Sequence, residues 1–147
     1  LYDTYGFNAF ADNFSEHFAR VFAGLRVDSG NNIEQVDKIC NKYRSLGLDP
    51  STKQVVFSNA LDEESAIALH KAIRGRVLDS YGIGTALSAD GKKWGIKPSN
   101  IVIKLLSVKM TEKRLWNKTC KMSEDYGKVT GDYDIIQAFN YLLHREN

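Results

Sequence analysis

An ordered series of short apolar runs, each followed at once by a polar or glycine-rich signature, restricts the fold more than anything else in this chain. The signatures are Asp3-Thr4, Arg26-Val27-Asp28-Ser29-Gly30, Ser58-Asn59 and Gly82-Ile83-Gly84-Thr85. Helix-patterned segments separate them. Such an alternation predicts right-handed βαβ units and a parallel sheet with helices on its outer side. It also gathers the strand-end groups on one face, where ligands bind.

Along the chain, Phe7, Phe10, Phe14, Phe18, Val21 and Phe22 recur at spacings of three and four, which predicts one amphipathic helix with a phenylalanine stripe in the core. A very short strand is expected from Gly24 to Val27. Ile33, Val36, Ile39, Tyr43 and Leu46 then predict a second helix, ended by a left-handed cap at Gly47. After the turn Asp49-Pro50-Ser51, the residues from Gln54 to Phe57 predict a buried strand. Asp62-Glu63-Glu64 place negative charge at the start of a third helix that runs to about Arg74 and stops at Gly75.

Val77 to Tyr81 predicts the next strand. Beyond the glycine turn and a loop containing Asp90-Gly91-Lys92-Lys93 the pattern changes, and residues 101–147 are expected to form an extension of strand, hairpin and helix. Ile101 to Val108 reads as one continuous strand and Leu115 to Lys121 as a second. Ile135, Ile136, Phe139, Leu142 and Leu143 mark a last helix. The first residue is Leu1 rather than methionine, and Leu1-Tyr2-Asp3 reads as the last residues of a strand, so a fragment is expected.

Composition narrows the class. With 147 residues, 43% of them hydrophobic, the chain can bury one core and suits one domain. Twenty basic residues against 18 acidic ones leave a net charge of +2, too balanced to claim nucleic acid as a partner. Lys109, Lys113, Arg114, Lys118 and Lys121 surround the expected hairpin and read as a solvated face. Cys40 and Cys120 lie in no clustered pair and are expected to be reduced and mostly buried. No apolar run approaches the roughly 20 residues that span a bilayer, so a cytoplasmic location without membrane contact is the expectation.

Arg26 and Asp28 are two apart, so on an extended backbone both project to one side. An arginine fork matches a carboxylate or phosphate, and a neighbouring carboxylate can accept from sugar hydroxyls or hold a hydrated divalent metal. A structural ion pair is the alternative. Gly30 would let the backbone turn sharply. Gly82, Gly84 and Thr85 offer bare N–H groups and a hydroxyl suited to a phosphate, while Ser58 and Asn59 either donate to the same phosphate or fix their loop. His17, His70 and His144 each sit in a helical pattern without a nucleophile or metal-ligand spacing, and read as ordinary surface or helix-edge residues.

Taken together, Arg26-Val27-Asp28-Ser29-Gly30, Val56-Phe57-Ser58-Asn59-Ala60-Leu61-Asp62, Tyr81-Gly82-Ile83-Gly84-Thr85 and Lys97-Pro98-Ser99-Asn100-Ile101-Val102-Ile103-Lys104-Leu105 resemble the C-terminal half of nicotinate phosphoribosyltransferases. Asp3-Thr4-Tyr5 and Lys121-Met122-Ser123-Glu124-Asp125-Tyr126-Gly127-Lys128 are similar to that family too. The resemblance implies an α/β fold that is part of an irregular (β/α) barrel with parallel strands. It implies an enzyme that condenses nicotinate with phosphoribosyl pyrophosphate to nicotinate mononucleotide in NAD salvage, driven by ATP as co-substrate through a phosphohistidine. That histidine lies upstream in the family, so none of the three here inherits its role.

Carried over position by position, Arg26 and Asp28 would line the ribose and pyrophosphate region as catalytic groups. Asn59, with Ser58 as a weaker member, would position the sugar phosphate, and Gly82, Gly84 and Thr85 would cradle the 5′-phosphate. Mg²⁺ and, for the full-length protein, a homodimer are also implied. Asn31 stands where the family often has an aspartate, so metal coordination is not carried to this turn. A complete barrel needs about 250 residues, so this chain alone is expected to be inactive. The competing expectations are the nicotinamide-using relative and a free-standing phosphate-binding α/β module without catalysis.

Overall fold

The computed structural model describes residues 1–97 and 101–143. Helices α1 (Phe7–Asn13) and α2 (Glu16–Val21) open the chain, followed by β1 (Gly24–Val27), α3 (Asn32–Ser45), β2 (Gln54–Phe57), α4 (Glu63–Ile73) and β3 (Leu78–Tyr81). A single turn, α5 (Thr85–Ser88), leads to two antiparallel pairs of very short strands. These are β4 (Ser107–Val108) with β5 (Asn117–Lys118), and β6 (Cys120–Lys121) with β7 (Thr130–Gly131). Helix α6 (Tyr133–Leu142) follows.

β1, β2 and β3 form one parallel sheet in that order, with Val27, Phe57 and Tyr81 side by side across it. The strand period of two therefore sends Val27, Val55 and Phe57 to one face. There they are fully buried with Val36, Ile39 and Tyr43 of α3 and Leu69 and Ile73 of α4. The opposite face, carrying Arg26, Gln54 and Leu78, is open, and Leu78 is 57% exposed. The expected burial of β2 thus holds on one side only, because helices cover one face.

Local chemistry explains the helix limits. The Asn31 side chain accepts from the Ile33 and Glu34 amides at 3.0 and 3.3 Å and caps α3. At the other end the Gly47 amide donates to the Arg44 carbonyl and the Leu48 amide to the Tyr43 carbonyl, with Gly47 at φ +70°, a Schellman closure. Asp62 and Ser65 cap α4 reciprocally.

Four expectations are corrected. The phenylalanine stripe is broken between Asn13 and Glu16, where Phe14 leaves helical geometry at φ −88°, ψ 89°. Phe14 is buried, packing on Phe10 and on Tyr43 with ring centroids 4.6 and 6.0 Å apart, whereas Phe18, Val21 and Phe22 are exposed. The opening residues form no strand; Asp3–Tyr5 is a 3₁₀ turn. The continuous strand at 101–108 is absent, since only Ser107 and Val108 pair and Ile101 to Leu106 lie outside any strand. Likewise the stretch from Leu115 to Lys121 is divided between β5 and β6. Strand formation needs a neighbouring edge as well as apolar residues, and among the described residues Thr119 reaches only the Leu105 and Leu106 carbonyls, with no ladder continuing to Ile101. Pro98, Ser99, Asn100 and His144 lie outside the described residues.

Candidate active site

The register of the sheet builds the site. Because Val27, Phe57 and Tyr81 are aligned, the next residues of the three strands, Asp28, Ser58 and Gly82, stand in a row at the carboxyl edge. The parallel ladder runs one step past the strands. The Ser58 amide donates to the Val27 carbonyl at 2.9 Å and the Gly82 amide to the Phe57 carbonyl at 2.7 Å.

Side chains join across this row. Arg26 Nε donates to Ser58 Oγ at 2.9 Å and its Nη2 to Asp28 Oδ1 at 3.1 Å, while Ser58 Oγ donates to the same Asp28 oxygen at 2.8 Å. The same-side projection of Arg26 and Asp28 is therefore present, and Ser58 closes a three-residue ring. Arg26 Nη1 and Asp28 Oδ2 make no hydrogen bond with the described residues. Burial acts to raise the Asp28 carboxyl. The hydrogen bonds from Ser58 and Arg26 and the charges of Arg26 and Lys128 overcome it, leaving the carboxyl below the ordinary aspartate range.

Asn59 has a different task from its neighbour. Its amide donates to the Gly30 carbonyl at 2.8 Å, tying the β2 end to the β1 end. Gly30 itself sits at φ +75°, and a Cβ there would lie 2.6 Å from Gln35 Nε2. Both the turn and the close approach thus require glycine. Ala60, next to Asn59, occupies the left-handed region at φ +49°, at a cost of about 1–2 kcal/mol. Nothing in the local sequence marks that strain.

Two cavities open on either side of the Ser58–Asp28 hydrogen bond. One, of about 740 Å³, is lined by Ser58, Ala60, Gly82 to Ala86 and the acidic group Asp62, Glu63, Glu64 and Asp90. The other, of about 230 Å³, holds Asp28 with Asp3, Thr4, Tyr5, Lys121 and Ser123 among its lining residues. Arg26 and Asn59 line neither. In the larger cavity a Cβ on Gly84 would meet nothing within 4 Å, and the Thr85 hydroxyl makes no hydrogen bond with the described residues. The Gly82 amide, bound to the Phe57 carbonyl, is not the bare donor expected from the sequence, because the sheet ladder takes it; Gly84 and Thr85 remain, with room in front of them. Among the described residues no lysine or arginine lines this cavity.

Residues that sequence reasoning left without a role also converge here. Lys128 Nζ donates to the Asp28 carbonyl at 2.7 Å, a hundred positions away in the chain. The buried Ser29 hydroxyl donates to the buried Asp3 carboxylate. For Lys128 only the resemblance of the 121–128 stretch to a known family hinted at this, whereas Asp3 and Ser29 stand in signatures expected to gather on one face.

The histidines stay apart. His17 is exposed, and His70 Nδ1 pairs with Asp79 Oδ2 at 2.6 Å, where the Tyr81 hydroxyl also donates at 2.5 Å. This links α4 to β3. Among the described residues no three of His, Cys, Asp and Glu form a group that could hold a metal ion. Asp28 Oδ2, a carboxylate oxygen without a hydrogen bond to the described residues, is the donor type that a hydrated Mg²⁺ would accept. Asn31, expected as a departure near any metal, serves as the α3 cap. Cys40 and Cys120 are free thiols, the first buried and the second half-buried. No helix among the described residues is long and apolar enough to cross a membrane.

Comparison with known proteins gives a consistent picture. The model of the nicotinate phosphoribosyltransferase (NAPRTase) family matches residues 1–140. A nicotinate phosphoribosyltransferase of Desulforapulum autotrophicum is 41% identical over 145 residues, covering 99% of this chain and 36% of that protein. One of Methanococcoides burtonii is 35% identical, covering 99% and 35%. Among crystal structures, the nicotinate phosphoribosyltransferase of Porphyromonas gingivalis superposes with a TM-score of 0.88 at 39% identity, covering 98% of this chain and 37% of the other. That of Vibrio cholerae gives 0.86 at 32% identity, covering 99% and 35%. The chain spans about a third of the length of the relatives it matches.

Proposed function

Since the chain belongs to the nicotinate phosphoribosyltransferase family, we propose that it supplies part of the active site of an enzyme that joins nicotinate to phosphoribosyl pyrophosphate, giving nicotinate mononucleotide and pyrophosphate. The observation that carries this reading is the row of Asp28, Ser58 and Gly82 at the ends of three parallel strands. The relatives carry the nicotinate name, which favours it over the nicotinamide-using relative and over a non-catalytic module.

In this reading the free Arg26 Nη1 and Asp28 Oδ2 meet the ribose and the pyrophosphate. As the bond from the anomeric carbon to the leaving oxygen stretches, positive charge grows on the sugar and negative charge on the diphosphate. Fixed groups that match this separation lower the barrier, because they bind the transition state more strongly than the substrate. The Arg26–Ser58–Asp28 ring holds both charged groups in place before substrate arrives, so little reorganisation is left to the reaction itself. Mg²⁺ on the substrate oxygens, touching Asp28 Oδ2, would add neutralising charge.

Gly84 and Thr85 form the 5′-phosphate cradle, with Gly82 turning the chain into it from the end of the sheet ladder, and Asn59 holds the β1 and β2 ends together beside it. The open sheet face carrying Gln54 and Leu78 becomes the inside of an irregular (β/α) barrel completed by other parts of the protein, with the short strand pairs β4–β5 and β6–β7 and helix α6 appended to it. ATP coupling through a phosphohistidine, a homodimer and a cytoplasmic location complete the proposal. The test is product formation by a full-length protein carrying this segment. Nicotinate mononucleotide made from nicotinate and phosphoribosyl pyrophosphate, stimulated by ATP, supports the reading; a folded protein that makes none from these substrates overturns it.

A further inference from the structure

We propose that Lys128 is a positioning residue, holding the turn Asp28-Ser29-Gly30 at the end of β1 from the far end of the chain; the proposal rests on the reading of Asp28 given above. The Lys128 ammonium donates to the Asp28 carbonyl at 2.7 Å. That carbonyl lies just past the Val27 carbonyl, which the Ser58 amide takes. No backbone amide of the described residues reaches it. A lysine donor therefore stands where the ladder of the sheet runs out.

The same segment holds the turn from behind. Ser29 is 1% exposed and its hydroxyl donates to Asp3, which is 3% exposed. The Asp3 carbonyl in turn accepts the Glu124 amide at 3.0 Å. The Glu124 carboxylate accepts from Gln35 Nε2 at 3.5 Å, and that amide packs where a side chain on Gly30 would stand. The Tyr2 hydroxyl donates to Gln35 Oε1 and completes the chain of contacts. Buried polar groups without partners are costly, so each link keeps the others in register.

The consequence is local and directional. The carbonyl that Lys128 grips and the carboxylate that meets substrate belong to the same residue, so movement of the peptide at Asp28 swings its side chain. Misplacement of a catalytic group by about 1 Å can cost on the order of a hundredfold in rate. Lys128 is not among the lining residues of either cavity and reaches the smaller one only through Asp28, so its loss acts through Asp28.

The experiment uses the full-length protein with Lys128→Met and Lys128→Arg. For Lys128→Met, kcat falls about tenfold or more while the KM for nicotinate is unchanged, and Lys128→Arg recovers most of the loss. Hydrogen exchange followed by mass spectrometry reads the turn independently of activity. Exchange should quicken in peptides covering residues 28–31 and stay as in the wild type across α4. Wild-type kcat and wild-type exchange at 28–31 in Lys128→Met would overturn the proposal. So would an exchange increase spread evenly over α3 and α4, which marks a merely structural lysine. If the wild-type protein makes no nicotinate mononucleotide, the functional reading fails, and quickened exchange at 28–31 alone still supports the grip on the turn.

Discussion

Ser58 Oγ donates to Asp28 Oδ1 at 2.8 Å across the seam between the first two strands of the sheet. One hydroxyl at the end of β2 thus bridges the charged pair at the end of β1. It faces the larger cavity while its partner lines the smaller one. Consequences for catalysis and for stability separate cleanly around this bond.

Asp28→Ala in a full-length protein is expected to lower kcat by on the order of a hundredfold. The side chain is 33% exposed and its arginine partner 51%, so the stability change stays within about 1 kcal/mol. Steady-state kinetics and a urea titration on the same preparation check both halves. Normal turnover would remove Asp28 from the site.

Gly84→Val tests the phosphate cradle without disturbing the fold, because a Cβ there meets no protein atom within 4 Å. Affinity for phosphoribosyl pyrophosphate should drop by about 1.5–3 kcal/mol for each charge-assisted hydrogen bond displaced. Calorimetric titration reads it directly. An unchanged affinity would move the phosphate elsewhere.

Phe57→Ala removes a fully buried ring that stacks on Tyr81 with centroids 5.8 Å apart. The expected loss is about 3–5 kcal/mol, since transfer and cavity contributions add. Equilibrium unfolding measures it. A loss below 1 kcal/mol would mean that the sheet does not pack on α3 and α4 as described.

Asp79 gives a pH signature. Burial acts to raise its carboxyl, but hydrogen bonds from Tyr81 and His70 leave it below the ordinary range in the folded protein. A depressed folded value means that this contribution is complete above the unfolded value, about 3.9, and is lost as pH falls through the folded one. Asp79→Asn should therefore flatten the decline of stability in acid relative to the wild type. Parallel stability curves between pH 6 and pH 2.5 would exclude the linkage.

Where local signals and tertiary contacts agreed, the fold was legible in advance. β1, β2 and β3, the two helices between them, the cap at Gly47 and the stop of α4 before Gly75 all followed from period, capping residues and glycine position. The same-side projection of Arg26 and Asp28 followed from strand geometry, while their ion pair was the alternative to a shared ligand. Ile101 to Leu106 misled because an apolar run reports hydrophobicity and says nothing of whether an edge is available to pair with it. The Phe7–Phe22 stripe misled because the 3.6 period persists through the break at Phe14 and Ser15. Lys128 on Asp28, and Asp3 on Ser29, join positions too far apart for any local pattern to couple.

Asn31 closes the first turn of α3 through its side-chain oxygen alone, and an aspartate oxygen would serve those two amides equally well. The position can therefore exchange amide for carboxylate at little folding penalty, changing the formal charge at the start of α3 by one unit while the helix cap stays in place.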